Sequence, residues 1–352
     1  MAEVRVNGSR PLSFLVDTGA SSGTFLNRAL LGELGLREEA PEGMANPGGE
    51  VQVGRIAHVR LQTGDVVLEN QTLLTAPLSS FEPILGRHLD GILGHAFLSQ
   101  FIVHLDYVTP GITLLDRAPS DGLVLPLVVI DDMPFIEVTL DNGGRSTPAR
   151  VEIDSGSFEA LGLNGRFITN TNLIDASARK FEERGIGFGG ETKGYRTRLA
   201  GLRLGSSTLR NPAINVTTDA GGYESKTASA GVLGAEVLRR FDVVIDYPAH
   251  RVILRPNRFF DDAWIEDNSG LRLIATGTAF EKKVIAGVSA TSPAAEADLR
   301  EGDVLVSVDG VMAAGRPLVD VYQMLRGATP RQLVLEREGK RIEATLKLRP
   351  LV

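Results

Sequence analysis

The sequence predicts a mainly β protein built from two similar halves and a third, unrelated unit. Three observations support this prediction. Short runs of Val, Ile and Leu are bounded by Gly, Pro, Asn and Asp, several runs recur at a constant spacing, and the recurrence stops after residue 256. Short apolar runs between turn residues are typical of strands and hairpins. The 39 glycines and 17 prolines among 352 residues agree with a turn-rich β fold.

The recurrence is an internal duplication. Asp90–Gly94 is echoed by Ala230–Gly234, and Ile102–Tyr107 is echoed by Asp242–Tyr247, at an offset of 140 residues (231 − 91 and 246 − 106). Self-similarity at a fixed offset is the signature of repeated structural units. The two halves are therefore expected to fold as two pseudo-symmetric β lobes.

The lobe boundary is predicted from turn chemistry. We expect a first lobe over residues 1–118 and a second over residues 119–257, because Ala118–Gly122 is a cluster of turn-forming residues. Within the second lobe, Asn172–Arg184 carries apolar residues at roughly helical spacing. This spacing predicts a helix that covers a sheet.

Two phrases of the same kind occur, one in each half. Phe14–Ser21 and Val151–Phe158 each place an aspartate after a β-like apolar run and before a hydroxyl residue and a glycine. These aspartates, Asp17 and Asp154, are the candidate catalytic residues. Equivalent turns from two lobes can bring two carboxylates face to face, where they share one proton. Such a pair can take a proton from water and donate one toward an amide carbonyl.

The residues beside the aspartates suit this arrangement. We expect the hydroxyls of Thr18 and Ser155 to tie each turn to the backbone of the other. Gly19 and Gly156 would let the backbone approach the carboxylates closely.

One difference between the two phrases predicts unequal aspartates. The residue after the glycine is Ala20 in the first phrase and Ser157 in the second, so only the second offers a side-chain hydroxyl. A donor to the charged form lowers a carboxyl pKa. We therefore expect Asp154 to be the more acidic member and Asp17 to hold the shared proton.

Apolar and glycine-rich segments would enclose the pair. The predicted cleft walls, which limit hydration, are Ile92, Leu93, Gly94, Val232, Leu233 and Gly234. The predicted flaps, which cover the cleft and pair with an extended substrate, are centred on Gly48, Gly49, Gly187, Phe188, Gly189 and Gly190. The second glycine run leads into strand-like sequence, which argues against a nucleotide-binding loop.

This two-lobe pattern resembles that of the aspartic peptidases, in which Asp-Thr/Ser-Gly is paired in each lobe with an apolar-apolar-glycine segment. The resemblance covers residues 1–256 and is closer to a fused, single-chain retropepsin than to the larger pepsins. It implies the acid-protease fold and endopeptidase activity on extended polypeptides. It also implies that no cofactor or metal is needed and that a monomer suffices for catalysis.

The third unit follows a polar and aromatic bridge over residues 258–268. Ser292–Gly310 combines a Ser-Pro-Ala-Ala helix start, a Gly-Asp turn and a strand ending in Asp-Gly. This pattern resembles the PDZ domains attached to bacterial proteases, over residues 269–350. The resemblance implies a partly open β-barrel with two helices, including a helix over Leu318–Leu325 and a last strand over Arg341–Leu348. Asp298 stands where the family has glycine, and we expect it to take the left-handed conformation.

The resemblance also implies a peptide-binding groove in this unit. Its predicted residues are Gly270, Leu271, Arg272, Leu273 and Val321. Capture of a peptide or protein ligand by strand addition is one expected role. The other is a structural cap or an autoinhibitory unit that engages no free ligand. Arg272 departs from the apolar residue usual in this loop.

Composition excludes several other classes of function. The net charge of −7 arises from 44 acidic and 37 basic residues mixed along the chain, so neither nucleic acid nor a membrane surface is an expected partner. The chain has no cysteine, and its five histidines show no i, i+4 pair. No apolar run reaches the length of a membrane span.

The first lobe has fewer residues before its aspartate than the second lobe has before its own. Only 16 residues precede Asp17, whereas 31 residues (154 − 123) from Leu123 lay down two strands before Asp154. We therefore expect a longer native precursor with an export signal, in which case the protein is periplasmic or secreted, and otherwise cytoplasmic.

The alternative to a peptidase is a non-catalytic peptide-binding adaptor or scaffold that uses the same lobes and PDZ unit.

Overall fold

The structure is a computed structural model that describes residues 1–46, 49–218, 229–264 and 266–352. It is mainly β, which confirms the predicted fold class. The chain forms two compact units. The bilobal unit comprises Met1–Leu78, Asp90–Arg179 and Gly185–Trp264, and the C-terminal unit comprises Ser79–Leu89, Lys180–Arg184 and Ile265–Val352. The C-terminal unit thus includes two short segments that precede it in sequence.

The first lobe is built on a seven-stranded sheet of order β1-β2-β7-β3-β6-β5-β4. The neighbouring strands β2 and β7 run parallel, with Leu15 opposite Ile92. The strands of this half are β1 (Ala2–Val6), β2 (Leu12–Val16), β3 (Thr24–Asn27), β4 (Glu42–Asn46), β5 (Gly49–Thr63), β6 (Val66–Ala76), β7 (Gly91–Leu93), β8 (Ile102–Asp106) and β9 (Gly111–Leu115). The short helices are α1 (Leu31–Leu34), α2 (Glu82–Leu85), which lies in the C-terminal unit, and α3 (His95–Leu98).

The second lobe repeats this plan on a ten-stranded sheet. The strands of this half are β10 (Leu123–Pro126), β11 (Val128–Ile130), β12 (Met133–Asn142), β13 (Arg145–Ile153), β14 (Leu161–Asn164), β15 (Phe181–Gly187), β16 (Gly190–Arg198), β17 (Gly201–Leu204), β18 (Ser207–Arg210), β19 (Ala213–Thr217), β20 (Gly231–Leu233), β21 (Phe241–Asp246) and β22 (Arg251–Pro256). The helices are α4 (Gly165–Thr171) and α5 (Ala235–Leu238). Strand β13 runs parallel to β20, as β2 does to β7.

A five-stranded sheet of order β10-β22-β21-β8-β9 joins the lobes. Its two central strands are repeat-related, and they pair antiparallel with Val243 opposite Leu105 and Ile245 opposite Val103. These four side chains are buried in one hydrophobic core that both lobes share. Burial of apolar area contributes about 25 cal/mol per Å², so this shared core fixes the two lobes against each other.

The predicted helix over Asn172–Arg184 is wrong. The helix of this region, α4, lies just before it and begins where the Asn164 side chain accepts the N–H of Phe167 at 2.7 Å. Its last residue is Thr171, because the left-handed backbone of the next residue, Asn172 (φ 49°), stops the helix. Beyond it, Leu173 and Ile174 are buried from irregular backbone, and Phe181 already begins β15. The apolar spacing therefore reflects a segment that packs without being helical.

The C-terminal unit has its own sheet and core. Its strands are β23 (Leu271–Thr276), β24 (Lys282–Val288), β25 (Val304–Val308), β26 (Val311–Met312), β27 (Arg331–Arg337) and β28 (Lys340–Leu346), and its helices are α6 (Pro293–Glu296) and α7 (Leu318–Met324). The sheet order is β23-β24-β25-β27-β28, with β26 paired to β25. The predicted second helix and last strand are thus present, and Asp298 has the expected left-handed backbone (φ 54°). Within the described ranges, no helix has the length and hydropathy of a membrane span.

A buried arginine fastens the end of the bilobal unit. Arg240 is 1% exposed, and its guanidinium donates to Glu236 Oε1 at 3.0 Å and to the Asp262 carbonyl at 2.7 Å. The same group lies 3.9 Å from the ring centroid of Trp264. A buried cation with a carboxylate, carbonyl and aromatic partner fixes the segment that follows β22.

We expect Arg240→Met to lower the free energy of unfolding by about 1–3 kcal/mol, because it removes the buried donor to the Asp262 carbonyl and one of the two arginine partners of Glu236, which keeps its ion pair with Arg239. Urea unfolding followed by the fluorescence of Trp264, the only tryptophan, measures the change. Arg60→Met is the control, since Arg60 and its partner Glu69 are 39% and 67% exposed. Equal, small effects of the two substitutions would contradict the assignment.

Candidate active site

Two equivalent strand pairs position the aspartates. Asp17 follows β2, and its N–H donates to the carbonyl of Leu93 in β7 at 3.1 Å. Asp154 follows β13, and its N–H donates to the carbonyl of Leu233 in β20 at 3.0 Å. The two apolar-apolar-glycine segments therefore hold the backbone of the aspartates. The segments end at Gly94 and Gly234, each of which packs directly against backbone carbonyls of the neighbouring turn.

The other predicted wall residues lie in the same two strands. In β7, Ile92 and Leu93 are buried, and in β20 Leu233 is buried while Val232 is half-buried. They form part of the lobe interiors behind the two turns.

The hydroxyl residues lock the turns together reciprocally. The Thr18 N–H donates to Ser155 Oγ at 3.1 Å, and the Ser155 N–H donates to Thr18 Oγ1 at 3.0 Å. Each hydroxyl also donates across the interface, from Thr18 to the Ile153 carbonyl at 2.7 Å and from Ser155 to the Val16 carbonyl at 3.0 Å. This is the arrangement expected from the sequence.

The glycine of each turn packs against the carboxyl group of the aspartate in the other lobe. A Cβ on Gly19 would lie 2.5 Å from Asp154 Cγ, and a Cβ on Gly156 would lie 2.5 Å from Asp17 Cγ. No side chain fits at either position. The two carboxyl groups therefore meet across the interface, and each rests on backbone of the opposite turn.

The paired carboxyl groups are electrostatically unequal. Loss of hydration raises the pKa of both, and the Asp154 charge and the hydrogen bond between the two side chains raise the pKa of Asp17 further. The pKa of Asp154 rises less because it accepts hydrogen bonds from Asp17 and from the N–H groups of Gly156 and Ser157, the latter two at 2.7 and 3.0 Å. The pKa of Asp17 is therefore raised further above the ordinary aspartate value than the pKa of Asp154.

The direction of this inequality agrees with the sequence expectation, but the expected cause is wrong. The hydroxyl of Ser157 is directed to Glu159 Oε1, at 3.4 Å. Asp154 is contacted by the backbone N–H of Ser157 instead. Ala20 also offers Asp17 a backbone N–H, so the side chain at this position does not distinguish the two aspartates.

Two tyrosines, which the sequence analysis did not single out, lie near the pair. Loss of hydration raises the pKa of Tyr107 and Tyr247, and the charges of Asp154 and Asp17, respectively, contribute. The charge of the aspartate in the other lobe therefore contributes to the raised pKa of each tyrosine. Both end the repeated phrases of β8 and β21, so the duplication itself was the signal that could have identified them.

The predicted flap residues fall on two hairpins. Strands β4 and β5 form the first, with Asn46 opposite Gly49. Gly187 ends β15 and Gly190 begins β16, so Phe188 and Gly189 form the tip of the second. Gly48 lies outside the described residues.

The two hairpins meet at Gly49 and Gly189. A Cβ on Gly189 would collide with the backbone of Gly49, so the two chains approach as closely as glycine allows. The ring centroids of Phe188 and Phe25 lie 5.8 Å apart. Phe25 belongs to β3, which pairs with Ile92 of β7. The second hairpin therefore contacts β3, which is the neighbour of β7, the strand whose Leu93 carbonyl accepts the N–H of Asp17.

The predicted groove residues of the C-terminal unit lie on β23 and α7, except Gly270, which directly precedes β23. Leu271, Leu273 and Val321 are buried in its core, and Gly270 has a positive φ of 73°. The Arg272 guanidinium donates to the carbonyl of Ala286 at 2.9 Å, so this side chain lies along the sheet.

Comparisons with known proteins agree with this architecture. The model of the aspartyl protease family matches residues 2–97, and the model of the PDZ domain matches residues 284–337. Both resemblances noted in the sequence are thereby confirmed, and the C-terminal unit is called the PDZ unit below. No curated protein matches the chain.

Several solved structures are similar to the chain. The aspartic proteinase from Irpex lacteus is 14% identical, with a TM-score of 0.44 over 74% of this chain and 95% of that one. A retropepsin-like aspartic protease from Rickettsia conorii is 16% identical, with a TM-score of 0.29 over 39% and 100%. The photosystem II D1 C-terminal processing protease is 29% identical over 23% of this chain, with a TM-score of 0.22, and the chain spans 22% of its length.

The raised pKa of Asp17 predicts a pH-dependent effect on stability. A carboxyl group whose pKa is raised by folding stabilises the fold fully below its unfolded pKa, and this contribution is lost as pH rises through the folded pKa. We therefore expect Asp17→Asn to increase the free energy of unfolding at pH 7.5, where ionisation of the wild-type carboxyl group opposes folding. The gain should shrink toward pH 4. Urea unfolding at the two pH values measures it, and a pH-independent difference would contradict the assignment.

Proposed function

We propose that the chain is an aspartic endopeptidase in which Asp17 and Asp154 act as the catalytic dyad. The observation that carries the proposal is the reciprocal placement of the two carboxyl groups, each against the glycine of the other lobe. We infer that one proton lies between them, mainly on Asp17. A shared proton supplies a general acid and a general base at one point. The match of residues 2–97 to the aspartyl protease family supports the same reaction class.

The assignment of the proton gives each aspartate a role. Ionised Asp154 takes a proton from a water molecule bound between the carboxyl groups, and the water oxygen bonds to the carbonyl carbon of the peptide. Asp17 gives its proton to the carbonyl oxygen, which yields a neutral tetrahedral intermediate. Asp154 then passes its new proton to the amide nitrogen as the C–N bond breaks, and Asp17 regains a proton from the intermediate. The dyad returns with one shared proton, and no covalent enzyme intermediate forms.

The surroundings suit a peptide substrate. Two hairpins that meet at Gly49 and Gly189 can cover a bound chain, exclude water and offer strand edges for backbone pairing. Gly49 and Gly190 have φ values of 150° and 134° at the starts of β5 and β16. Glycine is needed for such backbone, and it also lets the hairpin backbone approach a substrate closely. The substrate class we propose is therefore extended polypeptide.

We expect Asp17→Asn and Asp154→Asn each to lower kcat at least about 1,000-fold, because either change removes the acid–base pair. The measurement is cleavage-site profiling on peptides from a denatured proteome, with the double variant as the background. Asp65→Asn is the matched control, since Asp65 is exposed in the turn between β5 and β6. We expect it to keep wild-type activity.

Retained cleavage in either dyad variant would contradict the proposed mechanism. If the wild type itself cleaves nothing, including in a chain that ends at Arg258, the proposed function is wrong. The lobes would then act as a non-catalytic peptide-binding adaptor.

The acid limb of the pH–rate profile tests which groups set the pKa values of the dyad. Because Ser157 reaches Asp154 through its backbone N–H, we expect Ser157→Ala to leave the acid limb within about 0.3 pH units of wild type. For the same reason, Ala20→Ser should not shift it. The measurement is kcat/KM between pH 3 and 7. A shift of about one unit in either variant would restore a role for the hydroxyl.

A further inference from the structure

The PDZ unit has a groove between β23 and α7. Strand β23 is the edge strand of its sheet, and its outer edge is where an added peptide strand would pair. The residues before β23 form the loop that would receive a terminal carboxylate.

Backbone groups along this edge already have partners. The Leu271 N–H donates to Ser269 Oγ at 3.0 Å, and the Leu273 N–H donates to the Tyr322 hydroxyl of α7 at 2.7 Å. The same hydroxyl lies 3.4 Å from the Leu273 carbonyl, which it can donate to. Burial raises the pKa of Tyr322 to about 12, so this hydroxyl stays protonated. An incoming strand would have to displace it.

The loop already holds a carboxylate of its own. The Ser269 N–H donates to Asp267 Oδ1 at 2.9 Å, and the Ser269 hydroxyl donates to the same oxygen at 2.5 Å. The donors that a ligand carboxylate would use in this loop, the N–H groups of Ser269 and Leu271 and the Ser269 hydroxyl, are therefore already engaged within the chain. A free peptide C-terminus would have to displace Asp267 from Ser269, which costs binding free energy.

A segment of the same chain lies between the groove walls. Residues Ser79–Leu89 belong to the PDZ unit. A Cβ on Gly86 would lie 3.2 Å from Leu318 Cβ, on α7, and 3.4 Å from Ala275 Cβ, on β23. The ring of His88 contacts that of Phe280 edge-to-face, with centroids 4.9 Å apart.

The segment has a compact shape of its own. Helix α2 has a proline in its first turn, and Gly86 caps it in the left-handed conformation (φ 65°). The Leu89 N–H then folds back to donate to Glu82 Oε1 at 3.1 Å. Leu89 is 1% exposed. A segment that is ordered locally loses less entropy on docking than a disordered one.

We propose that the groove of the PDZ unit is an intramolecular docking site whose ligand is the chain's own segment Ser79–Leu89, and that Asp267 excludes free peptide C-termini from it. The partner is an internal segment with a short apolar helix, not a terminal carboxylate. The inference concerns the PDZ unit alone and stands whether or not the dyad hydrolyses peptides.

The absence of cysteine from the chain allows a direct test by disulfide trapping. In the full-length variant Gly86→Cys/Ala275→Cys, the Cβ atoms start 3.4 Å apart, close to the range of about 3.5–4.5 Å found in disulfides. We expect mild oxidation to cross-link most monomers, as measured by intact mass and by peptide mapping after digestion. The control is Gly86→Cys/Gly302→Cys, because a Cβ on Gly302 has no neighbour within 4 Å. Equal rates in the two variants, or no cross-link in either, would overturn the docking.

Displacement of the segment tests the choice of ligand. Gly86→Leu should expel the segment, since its side chain would collide with Leu318 and Ala275. Gly35→Leu is the matched control: Gly35 also caps a four-residue helix, has φ 63°, and has no neighbour within 4 Å of its Cβ. The probe is a fluorescein-labelled synthetic peptide of residues 79–89 with an amidated C-terminus.

We expect the Gly86→Leu protein to bind this probe at least about 10-fold more tightly than the wild type or Gly35→Leu, in which the tethered segment competes at an effective concentration near millimolar. The same peptide with a free carboxylate should bind no better. Equal binding by all three proteins would overturn the docking. A 10-fold preference of Gly86→Leu for the free carboxylate would overturn the exclusion of C-termini.

Discussion

The two halves of the chain meet at a pair of carboxyl groups that have lost part of their hydration. Two charged carboxylates side by side are costly at such a place, which favours one shared proton. The turns that carry Asp17 and Asp154 are locked by the mutual hydrogen bonds of Thr18 and Ser155. Gly19 supplies the backbone surface on which the opposite carboxylate rests. The sheet shared by the lobes, with β8 beside β21, fixes the distance at which the turns meet.

The duplication gives symmetry, and backbone geometry then makes the halves unequal. Asp154 accepts hydrogen bonds from its neighbours and from Asp17, and it is therefore the better base. The pKa of Asp17 is raised further because burial and the adjacent charge act on it together, which favours Asp17 as the proposed holder of the proton. The inequality assigns the direction of proton flow that the proposed mechanism uses. The proposed ligand of the PDZ unit, Ser79–Leu89, directly precedes in sequence Asp90 and strand β7, whose Leu93 carbonyl accepts the N–H of Asp17.

Features that were predictable from sequence are those that local chemistry determines. The dyad turns, the lobe repeat and the left-handed Asp298 follow from residue types at fixed spacing. The predicted helix beyond Asn172 failed because tertiary burial of irregular backbone imitates helical periodicity. The hydroxyl of Ser157 was misassigned because its direction depends on Glu159, which the motif does not include. The inclusion of Ser79–Leu89 in the PDZ unit depends on contacts between residues far apart in sequence, which no local pattern reveals.

The central claim is that the two aspartates share one proton. Its most direct test is a ¹³C NMR titration of selectively labelled aspartate Cγ atoms, with Asp17→Asn and Asp154→Asn used to assign the two signals. We expect the two resonances to titrate together with two well-separated apparent pKa values, the upper one well above the ordinary aspartate value of about 3.9. Two independent titrations near that ordinary value would contradict the claim.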